Sequence, residues 1–278
     1  MTETRSYYGR PVLKEPVWTW EIPVYFFTGG LAGASSVLSL VAKLRGNLKL
    51  GAAALYIGAA ADAVSPLLLI SDLGRPERFH HMLRVFKVTS PMSVGTWTLS
   101  AFGGAIGVAA ASEVLGVLRP LGRAAEGGAA LLGPALATYT AVLITDTAIP
   151  AWHEAHRELP FVFAGSAAAS AGAAAAILTP AEAARPARRL AVLGAVGELA
   201  AAAAMKRRLG ALAQPYEREP VRRLDRMAQS LSITGAAILG LLGRRRPAAA
   251  LGGALVLAGS ICQRFAIFRA GFDSARPR

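Results

Sequence analysis

The sequence predicts an all-α, polytopic membrane protein with eight transmembrane helices. Three observations lead there. Eight apolar stretches, each roughly 16 to 23 residues long, occupy most of the chain, and a hydrocarbon core about 30 Å thick is crossed by about 20 residues of helix. Hydrophobic residues make up 54% of the 278-residue chain and charged residues only 17%, a balance suited to lipid as solvent. Several stretches also carry a carboxylate or a tyrosyl group at depth, where a polar side chain is costly and marks a functional position by default.

The elements follow in order. Residues 1–20 are polar and lack the charged-then-apolar pattern of a cleaved signal, so the first span, 22–42, is expected to act as its own insertion signal. Trp18, Trp20, Glu21 and Tyr25 stand at its entrance. The second span, 50–70, holds Asp62 past its middle. The connection 71–93 then places Pro76 at a helix start, Phe79, Leu83 and Phe86 at i, i+4 and i+7, and Arg78, Arg84 and Lys87 around them. That pattern predicts an amphipathic helix in the membrane interface, ended by Pro91. The third span, 94–116, carries Glu113 close enough to an end to snorkel. The fourth, 127–149, has Tyr139 near its middle and Asp146 near its end. The fifth, 160–179, contains an alanine-rich run at 166–176 that reads as packing surface. The sixth, 188–205, has Glu198 at its centre, and the last two are 227–243 and 248–268.

Eight crossings put both termini on one side, with the connections 71–93, 150–159 and 206–226. This first face gives a soluble partner room to dock. The opposite, second face holds only the short links 43–49, 117–126, 180–187 and 244–247. The total of basic residues leans toward a cytoplasmic first face, whereas the dense run Arg244, Arg245, Arg246 on a short link opposes it.

Composition also excludes. A net charge of +13 would suggest nucleic acid in a soluble protein, but the lysines and arginines sit between apolar segments, as topology signals and contacts to anionic lipid. A basic stripe interleaved with exposed aromatics is missing, so nucleic-acid binding is not expected. Cys262 is the single cysteine, too few for an iron–sulfur cluster. His80, His81, His153 and His156 all fall between spans, so none can pair at membrane depth to hold a haem. His153 and His156 could share one face, but without a third ligand at a recognisable spacing they fit an interfacial or proton-loading role better than a metal site.

The polar groups at depth suggest chemistry. Glu21 and Tyr25, at i and i+4, stack a carboxylate and a phenol on one helix face, and Tyr139 offers another hydroxyl. Such a set suits a molecule with an apolar tail and two carbonyl oxygens: hydrogen bonds to a quinone and a carboxylate to supply protons. Asp62, Asp146 and Glu198 are candidates for proton passage. For Asp62 and Glu198 a structural hydrogen bond between helices is the competing role.

Tyr7-Tyr8-Gly9-Arg10-Pro11, Trp18-Thr19-Trp20-Glu21-Ile22 with Tyr25-Phe26 and Gly29-Gly30-Leu31-Ala32-Gly33, Ser71-Asp72-Leu73-Gly74-Arg75-Pro76-Glu77-Arg78-Phe79, and Ser90-Pro91-Met92-Ser93-Val94-Gly95-Thr96-Trp97 together resemble the NrfD/PsrC family. The distinctive blocks lie in about the first hundred residues; the later half resembles it in topology. The resemblance implies a haem-free inner-membrane subunit of eight helices in two four-helix bundles. Such a subunit exchanges electrons between a quinone, menaquinone or ubiquinone, and an iron–sulfur partner that serves a molybdopterin-type catalytic subunit. Carried over residue by residue, the quinone pocket falls on Glu21, Tyr25 and Tyr139, with Trp20 beside them. Asp72 and Arg75 are expected to pair and pin the interfacial helix, with Arg78 on the same docking surface. Glu21 and Tyr25 depart from the Asn and His pair of the polysulfide reductase branch, which leaves quinone type and parent substrate open. A proton- or ion-conducting subunit without quinone turnover is the alternative from a different class.

Overall fold

The computed structural model describes residues 16–276, so the motif at residues 7–11 lies outside the described residues. Among the described residues there is no strand. Eight long helices, α1 (Glu21–Leu44), α2 (Leu48–Ser71), α3 (Pro91–Leu115), α4 (Arg119–Thr145), α6 (Leu159–Leu178), α7 (Arg185–Leu209), α8 (Val221–Leu241) and α9 (Arg246–Ala275), are joined by the short α5 (Pro150–His153) and by 3₁₀ turns at Pro76–Leu83, Glu154–Arg157 and Gly210–Glu217.

Six of the eight long helices, α1, α2, α3, α4, α6 and α9, are long and apolar enough to cross a membrane. The other two differ for a physical reason. Helix α7 carries Glu198 at its centre and basic residues in both end turns, and α8 opens with Arg222, Arg223, Asp225 and Arg226.

Start signals set most boundaries. Pro91, Pro120, Pro150, Pro160, Pro186 and Pro247 each stand in the first two positions of their helix, where a missing N–H costs nothing and the fixed φ favours helix. Asn47 caps α2 by accepting from the Leu50 N–H at 3.2 Å, and Ser90 caps α3 by accepting from Ser93.

Two expectations change. The apolar pattern puts the fourth span at 127–149, but α4 begins at Arg119 and ends at Thr145. Charge at Arg123 and Glu126 suggests a loop; Pro120 starts the helix instead, and Glu126 is buried against a lysine. The shift moves Tyr139 from the middle of the span to within two turns of its end and leaves Asp146 exposed beyond the helix. The interfacial segment also differs. A 3₁₀ helix covers Pro76–Leu83 and stops well short of Pro91, with none of its residues buried.

Helices α1 to α4 pack among themselves as one four-helix group and α6 to α9 as another, with α6 and α9 of the second set against α1 of the first. Small residues bring the backbones together, since lipid gives helices no hydrophobic drive to associate and close dispersion contact replaces it. Gly33 of α1 and Gly133 of α4 meet so closely that a Cβ on either would overlap the carbonyl oxygen of the other. Between the groups, Phe26 packs on Phe163 and Phe268 with ring centroids 5.7 and 6.4 Å apart. Trp152 is fully buried; its Nε1–H donates to the Ile267 carbonyl at 2.8 Å, and Trp18 stacks on it.

Candidate functional site

The first group concentrates hydroxyls and carboxylates along α1. Tyr25, one turn into α1, is buried, and its hydroxyl hydrogen-bonds that of Tyr139 from α4. Helix α3 makes the room. Gly95 lies where a Cβ would overlap the Tyr139 ring, and a Cβ on Gly103, two turns further along the same face, would stand 2.8 Å from an oxygen of Asp62. Alanine at either position would push one of these polar groups aside.

Asp62 sits on α2, nine residues before the helix end at Ser71 and therefore about 13 Å in from the first face. It is 9% exposed, within electrostatic range of the Tyr25 hydroxyl, and its Oδ1 is buried without a hydrogen-bond partner. Pro66, four residues on inside α2, cannot donate to the Asp62 carbonyl, so the backbone loses a bond at the same level. One turn from both Tyr25 and Asp62, the hydroxyls of Thr28 and Ser65 join α1 to α2 at 2.8 Å.

The polar line continues toward the second face. The Ser36 hydroxyl donates to the carbonyls of Gly33 and Ala129, and that of Ser39 donates to Gly51 at 2.7 Å and to Glu126 at 2.5 Å. Lys43 then bridges Glu126 at 3.1 Å and Glu113 at 3.0 Å.

The expected quinone-site residues separate into three places. Tyr25 and Tyr139 come together. Glu21 lies one turn above, accepting a hydrogen bond from the Thr19 hydroxyl. Trp20 is 60% exposed and lines a cavity of about 350 Å³ with Trp18, Phe268 and Phe272 on the α9 side. Asp72 does not pair with Arg75; it accepts from the Thr19 N–H at 3.1 Å and the Thr19 hydroxyl at 2.8 Å, tying the start of α1 to the end of α2. Two donors fixed beside it hold Asp72 better than a mobile exposed guanidinium would. Arg75 and Arg78 are exposed on the first face. Asp146 is the C-cap residue of α4 and is exposed there rather than buried inside a span. His153 and His156 use their Nδ1 atoms on the carbonyls of Thr145 and His153.

Glu198 lies in the second group. It is 1% exposed, and both its oxygens lack hydrogen-bond partners. Its electrostatic counterpart is Arg264 of α9, also 1% exposed, whose guanidinium lies 3.7 Å over the Phe163 ring and donates to the Phe163 carbonyl at 3.1 Å. Arg264 escaped the sequence reading although an arginine inside the apolar stretch 248–268 was the available signal. Lys43 and Glu126 escaped because each stood near the expected edge of a span.

The sequence profile of the family described as "Polysulphide reductase, NrfD" matches residues 11–214 of this protein. The chain belongs to that family. It is thereby a multi-pass membrane protein, in agreement with its apolar helices. A curated relative, the C subunit of the polysulfide reductase of Wolinella succinogenes, is 36% identical over 97 residues, which covers 31% of this protein and 29% of the relative. The matched length therefore spans under a third of the relative.

Proposed function

We propose that the protein is the quinone-reactive membrane subunit of a reductase complex, with the Tyr25 and Tyr139 hydroxyls as the contact for the quinone head. The observation that carries this reading is the meeting of two tyrosyl hydroxyls near the first face, with a carboxylate oxygen of Asp62 unpartnered within reach. Membership of the family and the polysulfide reductase relative support the membrane-subunit part. The bonded hydroxyl pair can open, so that each phenol donates to an oxygen of the ligand instead of to its neighbour. A bound quinone supplies the electron chemistry that the side chains lack. Tyr25 and Tyr139 orient it, Asp62 holds or releases the proton, and Thr28 with Ser65 keeps α1 and α2 in register behind them. Glu21, with Thr19 and Asp72, closes the site toward the first face.

An iron–sulfur subunit is the partner this reading requires, since electrons must arrive next to the tyrosines. The exposed connection with Arg75 and Arg78 is its platform, and a molybdopterin-type catalytic subunit lies beyond it. All eight long helices then cross the cytoplasmic membrane; the charges of α7 are accommodated by Arg264 opposite Glu198 and by its ends at the two faces.

A second reading is favoured by the polar line from Asp62 to Lys43: a proton-conducting subunit in which no quinone turns over. Two variants separate them. In the assembled complex, Tyr139→Phe is expected to lower quinol-dependent turnover about 100-fold with assembly unchanged, whereas Asp62→Asn under the second reading abolishes proton flux in liposomes and spares quinone affinity. Unchanged turnover in Tyr139→Phe would sink the first reading.

A further inference from the structure

On the second face, two cavities meet. One, of about 450 Å³, is lined by Arg185, Arg188, Arg189 and Arg244 together with Val192, Leu193 and Leu239. Four guanidinium groups converge there and no carboxylate lines the space. Among the described residues none of the four forms an ion pair. Arg188 is the fixed member. Its Nη1 donates to the Ala181 carbonyl at 2.9 Å, and its stem lies against Gly243, where a Cβ would stand 2.5 Å from the Arg188 Cδ. Arg185 and Arg244 lie within electrostatic range of it, so the cluster repels itself unless an anion is present.

The second cavity, of about 570 Å³, is an apolar groove that shares Arg185, Arg189 and Leu193 with the first. It runs from those arginines down to Ala164 on α6, with Val37 of α1 and Pro134 of α4 on its other wall. Ala164 lies fourteen residues before the end of α6 at Leu178, so the groove extends about 20 Å from the second face, more than half of a hydrocarbon core about 30 Å thick. Its walls come from both helix groups.

We propose that this pair of cavities binds one anionic phospholipid, the headgroup phosphate among Arg185, Arg188, Arg189 and Arg244 and one acyl chain in the groove between α1, α4, α6 and α7. Charge complementarity selects the headgroup, and the groove requires a chain attached to it. Topology signals alone need neither a shared cavity nor an adjoining groove, and a basic pocket between helices at an interface is a recurring lipid site. The lipid joins the two helix groups on the face where Asn47 of the first also donates to the Ala183 carbonyl of the second at 2.8 Å.

The test uses the full-length protein in its purified complex, delipidated in neutral detergent. Native mass spectrometry and thermal unfolding read the addition of phosphatidylglycerol, phosphatidylcholine or inorganic phosphate. Phosphatidylglycerol is expected to be retained and to raise the unfolding temperature; phosphatidylcholine and phosphate are not. Arg188→Gln with Arg244→Gln should weaken retention roughly thirty-fold, whereas Arg222→Gln with Arg223→Gln on the first face should change it less than about threefold. Equal retention of phosphatidylcholine, saturation by phosphate alone, or equal losses in both double variants would overturn the assignment. Should the arginine variant fail to assemble, a photoreactive phosphatidylglycerol on the unaltered protein decides: crosslinks at the peptides of Val37, Ala164 and Leu193 support the site, and crosslinks spread evenly over the helices refute it.

Discussion

Two buried carboxylates, Glu126 in the first helix group and Glu198 in the second, are held in opposite ways. In α1 to α4 the buried carboxylate Glu126 has two partners, Ser39 and Lys43, and Lys43 has a second carboxylate in Glu113. In α6 to α9, Glu198 and Arg264 answer each other electrostatically, yet four of their polar atoms find no hydrogen-bond partner among the described residues. Redundant partners make a charge tolerable to lose. A lone counter-charge makes it indispensable, because removing one member leaves the other buried and uncompensated. Glu126 is therefore a carboxylate whose charge can change at small cost to the fold, whereas Glu198 and Arg264 depend on each other.

The largest expected effect follows from that contrast. Arg264→Leu strands Glu198 and should destabilise the protein by about 3 to 5 kcal/mol, seen as a lowered unfolding temperature and loss of folded yield. Adding Glu198→Gln should restore much of the loss, since the orphaned charge disappears with it. If the single variant is as stable as the parent, the second group does not depend on its buried pair and the contrast fails.

An intermediate effect belongs to Glu126→Gln in the first group. Gln keeps an oxygen for Ser39 and leaves Lys43 paired with Glu113, so the expected cost is about 1 kcal/mol, well below that of Arg264→Leu under the same denaturation measurement. A cost equal to that of the arginine variant would show that partner redundancy does not protect this region.

What the sequence could reveal follows the same physics. The all-helical, apolar character was readable because length and hydropathy are local properties, with six of the eight expected spans long and apolar enough to cross, and Tyr25, Tyr139, Asp62 and Glu198 stood out because each is polar in an apolar run. Pairing was not readable. Glu126 looked like a loop residue until Lys43, some eighty residues away in sequence, neutralised it, and Asp72 looked like a partner for neighbouring Arg75 until Thr19 folded onto it. The two glycines that shape the tyrosine site, Gly95 and Gly103, have meaning only once α3 lies against α2 and α4. The place of Asp146 relative to the end of α4 was not readable either, because apolar content alone does not fix a helix end.

The smallest expected effect is at the first face, where exposed pairs contribute little. Arg208 grips Glu158 through two nitrogens, Nε at 2.5 Å and Nη2 at 2.6 Å, joining the end of α7 to the start of α6. That guanidinium holds the Glu158 carboxyl below its usual range. A carboxyl whose pKa is depressed in the folded state contributes stability that is fully present above the ordinary glutamate value, near 4.3, and is lost as pH falls through the lower folded value. Glu158→Gln should therefore cost about 0.5 to 1 kcal/mol at neutral pH, and the gap between variant and parent should close in acid below that range. Screening adds a second handle: both proteins should converge in molar salt, because a pair at the water surface is weakened there, while the difference made by Arg264→Leu, at a side chain buried within the second group, should persist. Convergence of the Arg264 variant in salt as well would mean that the second group is wet, and the two regions would no longer differ in the way their partners suggest.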